Sequence, residues 1–232
     1  MSNMMKNTSH QINILKITSE SLKEKAYLDV FPEYYNLAKV TENSLWHNNQ
    51  NVLDHVIGVF EGLEKVLKFE SVPDLHRDLV ERYLSEVLGN KTRREILIVA
   101  TLLHDIGKAE TLMQRPDGTA GCPGHELVGA AQVKNFAERF GLDSQAESYV
   151  ERIVRYHGFI YQILELIVAN GQKNKYLVIF KETVGDVALE LVLLMRADLF
   201  GSDLEAGDEK AYKDRVNTLI WMFDELIAEQ KI

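Results

Sequence analysis

The sequence predicts a single all-α domain, and three observations support this fold class. Only four prolines and fourteen glycines interrupt the 232 residues. Most of the segments between them place apolar residues with a helical rather than an alternating period. Thr92 with Glu95, and Ser144 with Glu147, form the capping-box pattern that marks the beginning of a helix.

The first half of the chain is expected to lead from a polar tail into three helices. The first helix is predicted over residues 52–69, where six apolar residues recur at helical spacing. These are Val52, Val56, Val59, Phe60, Leu63 and Val66. A second helix is predicted over 75–88. A third, over 92–106, is apolar on nearly all sides, which is typical of a central, buried helix, and Gly107 ends it.

The second half begins with residues 108–124, which hold PDG and CPG turn signals and are expected to form the longest loop. Helices are then predicted over 125–140, 144–157, 161–169, 186–200 and 208–230. Residues 176–180 are the one strand-like segment. No repeat or low-complexity tract divides the chain.

Composition excludes several classes of protein. Hydrophobic residues make up 46% and charged residues 26% of the chain, a balance typical of globular proteins. The net charge of −9 argues against an extended nucleic-acid surface, although a pocket for one phosphate remains possible. The single cysteine, Cys122, excludes an intrachain disulfide and a cysteine-based zinc cluster. No secretory signal or membrane span is recognised, so a cytoplasmic location is expected.

Several imidazoles and carboxylates fall on apolar helix faces. His55 follows Val52 by three residues, His157 ends a similar stripe, and Asp198 lies on the apolar side of its segment. His104 and Asp105 end the central helix. Because an unpaired buried carboxylate costs several kcal/mol, this convergence favours a divalent metal as the compensating charge. A buried hydrogen-bond network between His and Asp is the alternative reading of the same pattern.

Five ordered motifs contain these residues: NVLDH (51–55), LLHDIGK (102–108), GHELVGA (124–130), VRYHG (154–158) and RAD (196–198). Together they resemble the HD superfamily of metal-dependent phosphohydrolases. The LLHDIGK and GHE-x-x-GA segments are most similar to the HD region of bacterial tRNA nucleotidyltransferases and poly(A) polymerases. The resemblance covers roughly residues 45–200. It implies an all-α HD helical bundle with a metal site between its central helices.

The resemblance departs from those enzymes before residue 45. They carry an N-terminal nucleotidyltransferase domain, for which the preceding residues are too few, so a stand-alone HD hydrolase is expected. The expected division is a tail and helical extension over 1–44, the HD domain over 45–205, and a C-terminal helix over 206–232 packed on it.

Carried over by position, the resemblance implies four primary metal ligands: His55, His104, Asp105 and Asp198. In binuclear members two later histidines bind a second ion; His125 and His157 stand in those places, and Asp105 would then bridge. In mononuclear members these two histidines contact substrate instead, so one or two ions are expected. Imidazole and carboxylate ligands suit Fe, Mn, Ni or Zn, with Mg also compatible.

The resemblance and the positions of nearby charged residues together give the expected catalytic and substrate-binding residues. A bound ion would lower the pKa of its water, and the resulting hydroxide would attack phosphorus. Asp105 and Lys108 are expected to be catalytic, and His47, Lys108 and Arg115 to contact substrate. For Lys108 the alternative is an ordinary lysine in a last helical turn. For His47 and Arg115 the alternative is a solvated loop position. Glu126 is a candidate to orient His125.

The expected function is therefore metal-dependent hydrolysis of a phosphate mono- or diester, with a nucleotide or cyclic nucleotide favoured as the small-molecule partner. Three alternatives stay open. The domain could sense a nucleotide or metal without turnover, or act as a di-iron oxygenase with the same ligands. It could also be an interaction protein with a structural metal and the 208–230 helix as its binding surface. Oligomeric state is left open by the sequence.

Overall fold

The structure is a computed structural model that describes residues 11–43, 50–70 and 74–229. Its helices are α1 (Ser19–Lys23), α2 (Pro32–Asn36), α3 (Val52–Leu67), α4 (Asp74–Ser85), α5 (Arg93–Leu103), α6 (Lys108–Thr111), α7 (His125–Phe140), α8 (Ser144–Asn170), α9 (Lys173–Val184), α10 (Ala188–Gly201), α11 (Leu204–Gly207) and α12 (Glu209–Glu229). Short 3-10 turns cover Ile14–Lys16, Leu37–Lys39 and Gly185–Val187. Strands β1 (Val87–Leu88) and β2 (Lys91–Thr92) form one antiparallel pair, and β3 (Met113–Gln114) and β4 (Ala120–Gly121) form another.

The predicted all-α class is confirmed, and α5 is its central helix. The predicted capping box is present: the Thr92 side chain accepts from the Glu95 N–H, and the Glu95 carboxylate accepts from the Thr92 N–H. Every residue from Ile96 to Leu103 is buried, because α3, α7, α8 and α10 pack around this helix. Its C-terminal end, which carries His104 and Asp105, therefore lies inside the bundle.

Helix α8 is longer than the sequence predicts. Residues 144–157 and 161–169 were expected to form two helices, but Ser144–Asn170 is continuous. Asp143, rather than the predicted Ser144, is its N-cap, and its carboxylate accepts from the Ala146 N–H. Gly158 does not break the helix, since flanking turns bury His157 and Ile160 against the core.

Two other local predictions are wrong. The strand-like segment 176–180 belongs to helix α9, which buries Leu177, Phe180 and Val184 at spacings of three and four residues. Packing of that face decides the structure over β-propensity. The predicted loop 108–124 contains helix α6 and the β3–β4 pair.

The N-terminal extension packs against the bundle and ends beside its centre. Phe31 makes edge-to-face contacts with Phe136 and Phe140 of α7. Further along, Thr41 forms a backbone bridge with Asn51, and Asn43 forms one with Ala120. Residues 41–43 are therefore held in extended form between the beginning of α3 and strand β4.

A buried charged network joins α4, α5 and α10. Arg93 Nη1 donates to Glu190 Oε1 at 2.6 Å, and the Tyr83 hydroxyl donates to Glu190 Oε2 at 2.5 Å. Glu190 is fully buried. None of these three side chains is among the described residues that line the cavity with the metal-ligand candidates, and we assign the network a structural role.

At the C-terminal end, α12 buries Leu219, Met222, Phe223 and Ile227 against a surface that includes α8 and α10. The division at residue 206 stays a prediction. Among the described residues, no helix has both the length and the apolar character that a membrane crossing requires.

Candidate metal centre

Five helical segments direct six ligand-type side chains toward one cavity of about 330 Å³. They are His55 on α3, His104 and Asp105 just after α5, His125 at the first residue of α7, His157 in the middle of α8, and Asp198 on α10. Five of them line the cavity, and His104 lies behind it with only 1% of its surface exposed.

Glycines let α3 and α10 approach closely enough to bring His55 and Asp198 together. A Cβ at Gly62 would lie 2.7 Å from the Ala197 carbonyl oxygen, and one at Gly201 would lie 2.4 Å from the Val59 nitrogen. Side chains at these positions would therefore separate the backbones. With glycine present, His55 Nε2 lies 3.0 Å from Asp198 Oδ1.

A second pair of glycines places His125 beside Asp105. A Cβ at Gly107 would lie 2.2 Å from the His125 carbonyl oxygen and 2.6 Å from the Gly129 nitrogen. The glycines of the LLHDIGK and GHELVGA motifs thus mark where these two segments touch. The His125 Nε2 to Asp105 Oδ1 distance is 3.2 Å.

All four imidazoles are oriented in the same way. Each places Nδ1 against a backbone carbonyl: His55 on Gly201 at 3.2 Å, His104 on Thr101 at 2.7 Å, His125 on Cys122 at 2.7 Å, and His157 on Val154 at 2.6 Å. A carbonyl can only accept, so Nδ1 carries the proton in each ring. The lone pair of every neutral ring is then on Nε2, which is the arrangement of metal-binding histidines with a carbonyl partner.

Asp105 lies between two groups of these nitrogens. Its Oδ2 is 3.5 Å from His55 Nε2 and 3.4 Å from His104 Nε2. Its Oδ1 is 3.2 Å from His125 Nε2 and 3.6 Å from His157 Nε2. Two sets of three ligand atoms are close enough to hold an ion, since the atoms of each set lie within 4.8 Å of one another. One set comes from His55, His104 and Asp198, and the other from Asp105, His125 and His157.

The donor set fits a metal on two further observations. The buried Nε2 of His104 has no hydrogen-bond partner, a condition that costs stability unless a cation binds there. The Nε2 atoms of His125 and His157 lie 3.1 Å apart, so two lone pairs would face each other unless a proton or a metal ion lies with them. Imidazole and carboxylate together suit first-row divalent ions.

The family is shown by a match to the HD domain model over residues 52–202. This chain belongs to the HD domain family. It is also similar to proteins named bifunctional uridylyltransferase/uridylyl-removing enzyme. The one from Ruegeria pomeroyi is 31% identical over 137 residues, which is 59% of this chain and 13% of that protein. Those from Cereibacter sphaeroides and Pasteurella multocida are 29% and 28% identical over 137 and 133 residues, again 13% of each protein.

The HD superfamily prediction is thereby confirmed, whereas a particular closeness to tRNA nucleotidyltransferases is not shown. The curated relatives named above are uridylyltransferase/uridylyl-removing enzymes instead. The HD domain of this chain corresponds to a small part of those relatives, so their activities as whole proteins are not transferred to it.

The electrostatics of the HD site keep its carboxylates ionised. Burial alone would raise the pKa of Asp105, but the Lys108 ammonium and the His104 imidazole hold it well below its ordinary value. Burial likewise opposes ionisation of Asp198, and the contact with the His55 imidazole outweighs it and lowers the pKa. Both side chains are therefore available as anionic ligands at neutral pH.

The imidazole pKa values diverge within the site. Burial would lower the pKa of His104, but the neighbouring Asp105 carboxylate raises it. The pKa of His157 is lowered, first by burial and then by its imidazole neighbours His125 and His104. His157 is therefore held as a neutral ring, the form in which imidazole binds metals.

Lys108 is at the site but is not a solvated lysine. It is 5% exposed, its Nζ lies 3.0 Å from Asp105 Oδ2 and 2.5 Å from Glu42 Oε2, and it lines the cavity. Burial opposes its charge, yet these two carboxylates raise its pKa. Lys108 is the single Lys or Arg among the described residues that line this cavity.

Arg115 is not brought to the cavity. It is exposed in the β3–β4 hairpin, where Nη1 donates to the Thr119 hydroxyl at 3.2 Å. The Arg115 side chain thus binds a residue of its own hairpin. A substrate contact from Arg115 stays a prediction that the geometry does not support. His47 lies outside the described residues.

Glu126 does not orient His125 as predicted, because the Cys122 carbonyl already accepts from Nδ1 and Glu126 Oε2 is 3.6 Å away. Its carboxylate instead lies over Gly158, where a Cβ would be 2.3 Å from Oε1.

Cys122 is buried, and burial, aided by the nearby Glu42 carboxylate, raises the pKa of its thiol to about 12.

Sequence reasoning missed Glu42 and the polar wall of the cavity. That wall includes Tyr161, Gln162 and Ser202. Tyr161 and Gln162 follow His157 by four and five residues, so a continuous α8 would have placed them near it. Glu42 has no such signal, since it belongs to none of the five motifs.

Proposed function

We propose that this HD domain hydrolyses a phosphate mono- or diester, with a nucleotide or cyclic nucleotide as substrate, using one or two divalent metal ions. The observation that carries the proposal is the pair of ligand groups meeting at Asp105 on the wall of an open cavity. When bound, divalent ions would activate a water molecule and polarise a phosphoryl oxygen.

The residues of the chain have distinct roles in this proposal. His55, His104 and Asp198 would hold one ion, and His125 and His157 would hold the second, with Asp105 serving both through its two oxygens. The backbone carbonyls behind the four imidazoles fix their orientation, so little rearrangement is needed on loading. Lys108 has three donors, one of which goes to Glu42 Oε2, and its charge lies 3.0 Å from Asp105 Oδ2; the remaining donors can serve a phosphoryl oxygen at the cavity.

The cavity supports a substrate with one phosphate rather than several. Lys108 is its single lining cation among the described residues, while Tyr161, Gln162 and Ser202 offer neutral hydrogen-bonding groups to an organic moiety. A volume of about 330 Å³ is at the lower end for small-molecule sites. The uridylyl-removing name of the relatives describes removal of a nucleotidyl group, which also favours a nucleotide-type ester here.

The first experiment is elemental analysis of protein purified without chelator, followed by hydrolysis assays. The substrates are bis(p-nitrophenyl) phosphate, p-nitrophenyl phosphate and a nucleotide panel, with Mn²⁺ supplied. His104→Ala should lose metal and reduce hydrolysis by about 100-fold or more, because ligand loss exceeds the effect of an outer-shell change. His76→Ala is the matched control, since His76 lies on α4 outside the site.

Three results would redirect the proposal. Hydrolysis that persists in His104→Ala would refute it. Tight nucleotide binding without turnover would identify a sensor. Iron-dependent oxygen consumption would identify an oxygenase. Loss of one of two metal equivalents in His157→Ala would support two ions, whereas one equivalent unaffected by that change would support a mononuclear site.

A further inference from the structure

Lys108 and the metal ions would compete for the same carboxylate oxygen. The Lys108 ammonium lies 3.0 Å from Asp105 Oδ2, and that oxygen also faces the Nε2 atoms of His55 and His104 at 3.5 and 3.4 Å. An ion held by the Nε2 atoms of His55 and His104 would have Oδ2 as a ligand or a close neighbour. A cationic lysine at this distance opposes it, unless another anion draws the ammonium aside.

Glu42 is placed to be that anion. Its Oε2 lies 2.5 Å from Lys108 Nζ, and the side chains of Lys108 and Glu42 are only 6% and 10% exposed. Low exposure makes the pair stronger than a surface ion pair, and it leaves neither group an easy exit to water.

The backbone fixes the reach of Glu42. Thr41 and Asn43 form bridges to Asn51 and Ala120, on either side of residue 42. Because side chains alternate along an extended segment, Thr41 and Asn43 face solvent while Glu42 points inward. The carboxylate therefore cannot follow Lys108 by moving its backbone. Glu42 also lies outside residues 52–202, the range that matches the HD family model.

We propose that Glu42 is a positioning residue: by accepting from the Lys108 ammonium it keeps that group 3.0 Å from Asp105 Oδ2 without a hydrogen bond to this oxygen, and so leaves the Asp105 carboxylate available to the metal. The inference rests on the proposed metal site, but it does not depend on which reaction that site performs. It assigns a role in the HD site to a segment that precedes the family region.

The test is a double-mutant cycle that combines Glu42→Asp, which conserves the charge, with Lys108→Met. The measured quantity is the affinity for Mn²⁺ alone. Glu42→Asp retains the carboxylate but shortens its reach by one methylene, so Lys108 should turn toward Asp105. We expect Mn²⁺ affinity to fall by about 10-fold, the lower end for outer-shell changes. In the Lys108→Met background the same Glu42→Asp change should leave Mn²⁺ affinity unchanged, because no ammonium remains to be held.

Controls separate positioning from packing and from direct attraction of the ion. An equal loss in both backgrounds would show that Glu42 only supports the fold, and no loss in either would show that its position is irrelevant; each overturns the inference. Lys108→Met alone should bind Mn²⁺ at least as tightly as the wild type, and weaker binding also overturns it. Glu110→Asp, a change on α6 at a glutamate bonded to Gln132, should have no effect.

The two proposals can fail separately. A wild type that binds Mn²⁺ and shows the expected cycle, yet hydrolyses no phosphate ester, refutes the hydrolase and supports the role of Glu42. If the protein hydrolyses a phosphate ester but Glu42→Asp has the same effect on Mn²⁺ affinity with and without Lys108, the hydrolase is supported and the role of Glu42 is refuted. A wild type that binds no Mn²⁺ overturns both.

Discussion

Replacing Gly62 by alanine should push α3 away from α10 and weaken the metal site from two helical turns away. The added Cβ would lie 2.7 Å from the Ala197 carbonyl oxygen and 2.9 Å from Phe200 Cβ. Carbon atoms prefer separations of about 3.5–4.0 Å, so the helices must part by roughly 0.6 Å. The contact with Ala197 is to backbone, so no side-chain rotation relieves it.

The expected magnitudes follow from two opposing effects on stability. Overpacking costs about 1–3 kcal/mol, and alanine recovers about 1 kcal/mol of helix propensity, so the free energy of unfolding should fall by about 0–2 kcal/mol. The metal site is more sensitive, because its ligands must stay within about 0.5 Å of their working positions. His55 and Asp198 sit on the two helices that separate. Mn²⁺ affinity should therefore fall by about 10-fold or more.

The assay is urea unfolding of the metal-free protein together with Mn²⁺ titration. Gly58→Ala is the matched control on the same helix, since its Cβ would lie 3.2 Å from Gly201 Cα and nothing closer. There the small clash and the gain in helix propensity should nearly cancel. The steric reasoning is wrong if Gly62→Ala leaves Mn²⁺ affinity at the wild-type value, or if Gly58→Ala weakens it more.

Three further predictions concern groups outside the metal site. Glu190→Gln should lower the free energy of unfolding by about 2–3 kcal/mol in urea titrations, because the buried Arg93 loses its buried carboxylate partner and keeps only the half-exposed Glu86; no change would mean that the pair is energetically neutral. Glu33→Gln should cost up to about 1 kcal/mol at pH 7, and this cost should shrink as the pH falls below the ordinary pKa of glutamate. The hydrogen bonds from Arg139 lower the pKa of Glu33, so their stabilisation is present above its ordinary pKa and lost as pH falls through the lowered one. A pH-independent difference would contradict this. Cys122, with a pKa of about 12 and a buried sulfur, should react with a disulfide reagent at pH 8 only after unfolding; rapid reaction of the folded protein would show that the segment opens.

The sequence predicted well wherever one helix face alone decides the structure. Residues 125–140 were predicted and observed with the same bounds, because His125 begins the helix and Gly141 ends it in a left-handed conformation. Prediction failed where a neighbouring element decides. Gly158 looks like a helix break in the sequence, but in the structure it lies inside helix α8, and its missing side chain leaves room for the Glu126 carboxylate. The aromatic and branched residues of 176–180 form a helix because their buried face packs against the bundle.

The same distinction separates the two halves of the candidate site. Ligand-type residues could be predicted because a charge on an apolar helix face is conspicuous, and His55, His157 and Asp198 each stand on such a face. The residue that controls Lys108 could not be predicted in this way. Glu42 is held at the site by backbone bridges of its two neighbours, Thr41 with Asn51 and Asn43 with Ala120, and neither bridge has a sequence pattern.

The glycines of the motifs acquire a physical meaning from this comparison. Gly107 and Gly129 lie in the two motifs that carry Asp105 and His125, and neither glycine contributes a ligand atom. Their missing side chains set the distance at which the two backbones meet, and that distance places His125 Nε2 3.2 Å from Asp105 Oδ1. Gly62 and Gly201 do the same for His55 and Asp198. The separation of the ligand atoms is thus determined by backbone contacts outside the ligand shell, which is why a methyl group added there should disturb metal binding more than it disturbs folding.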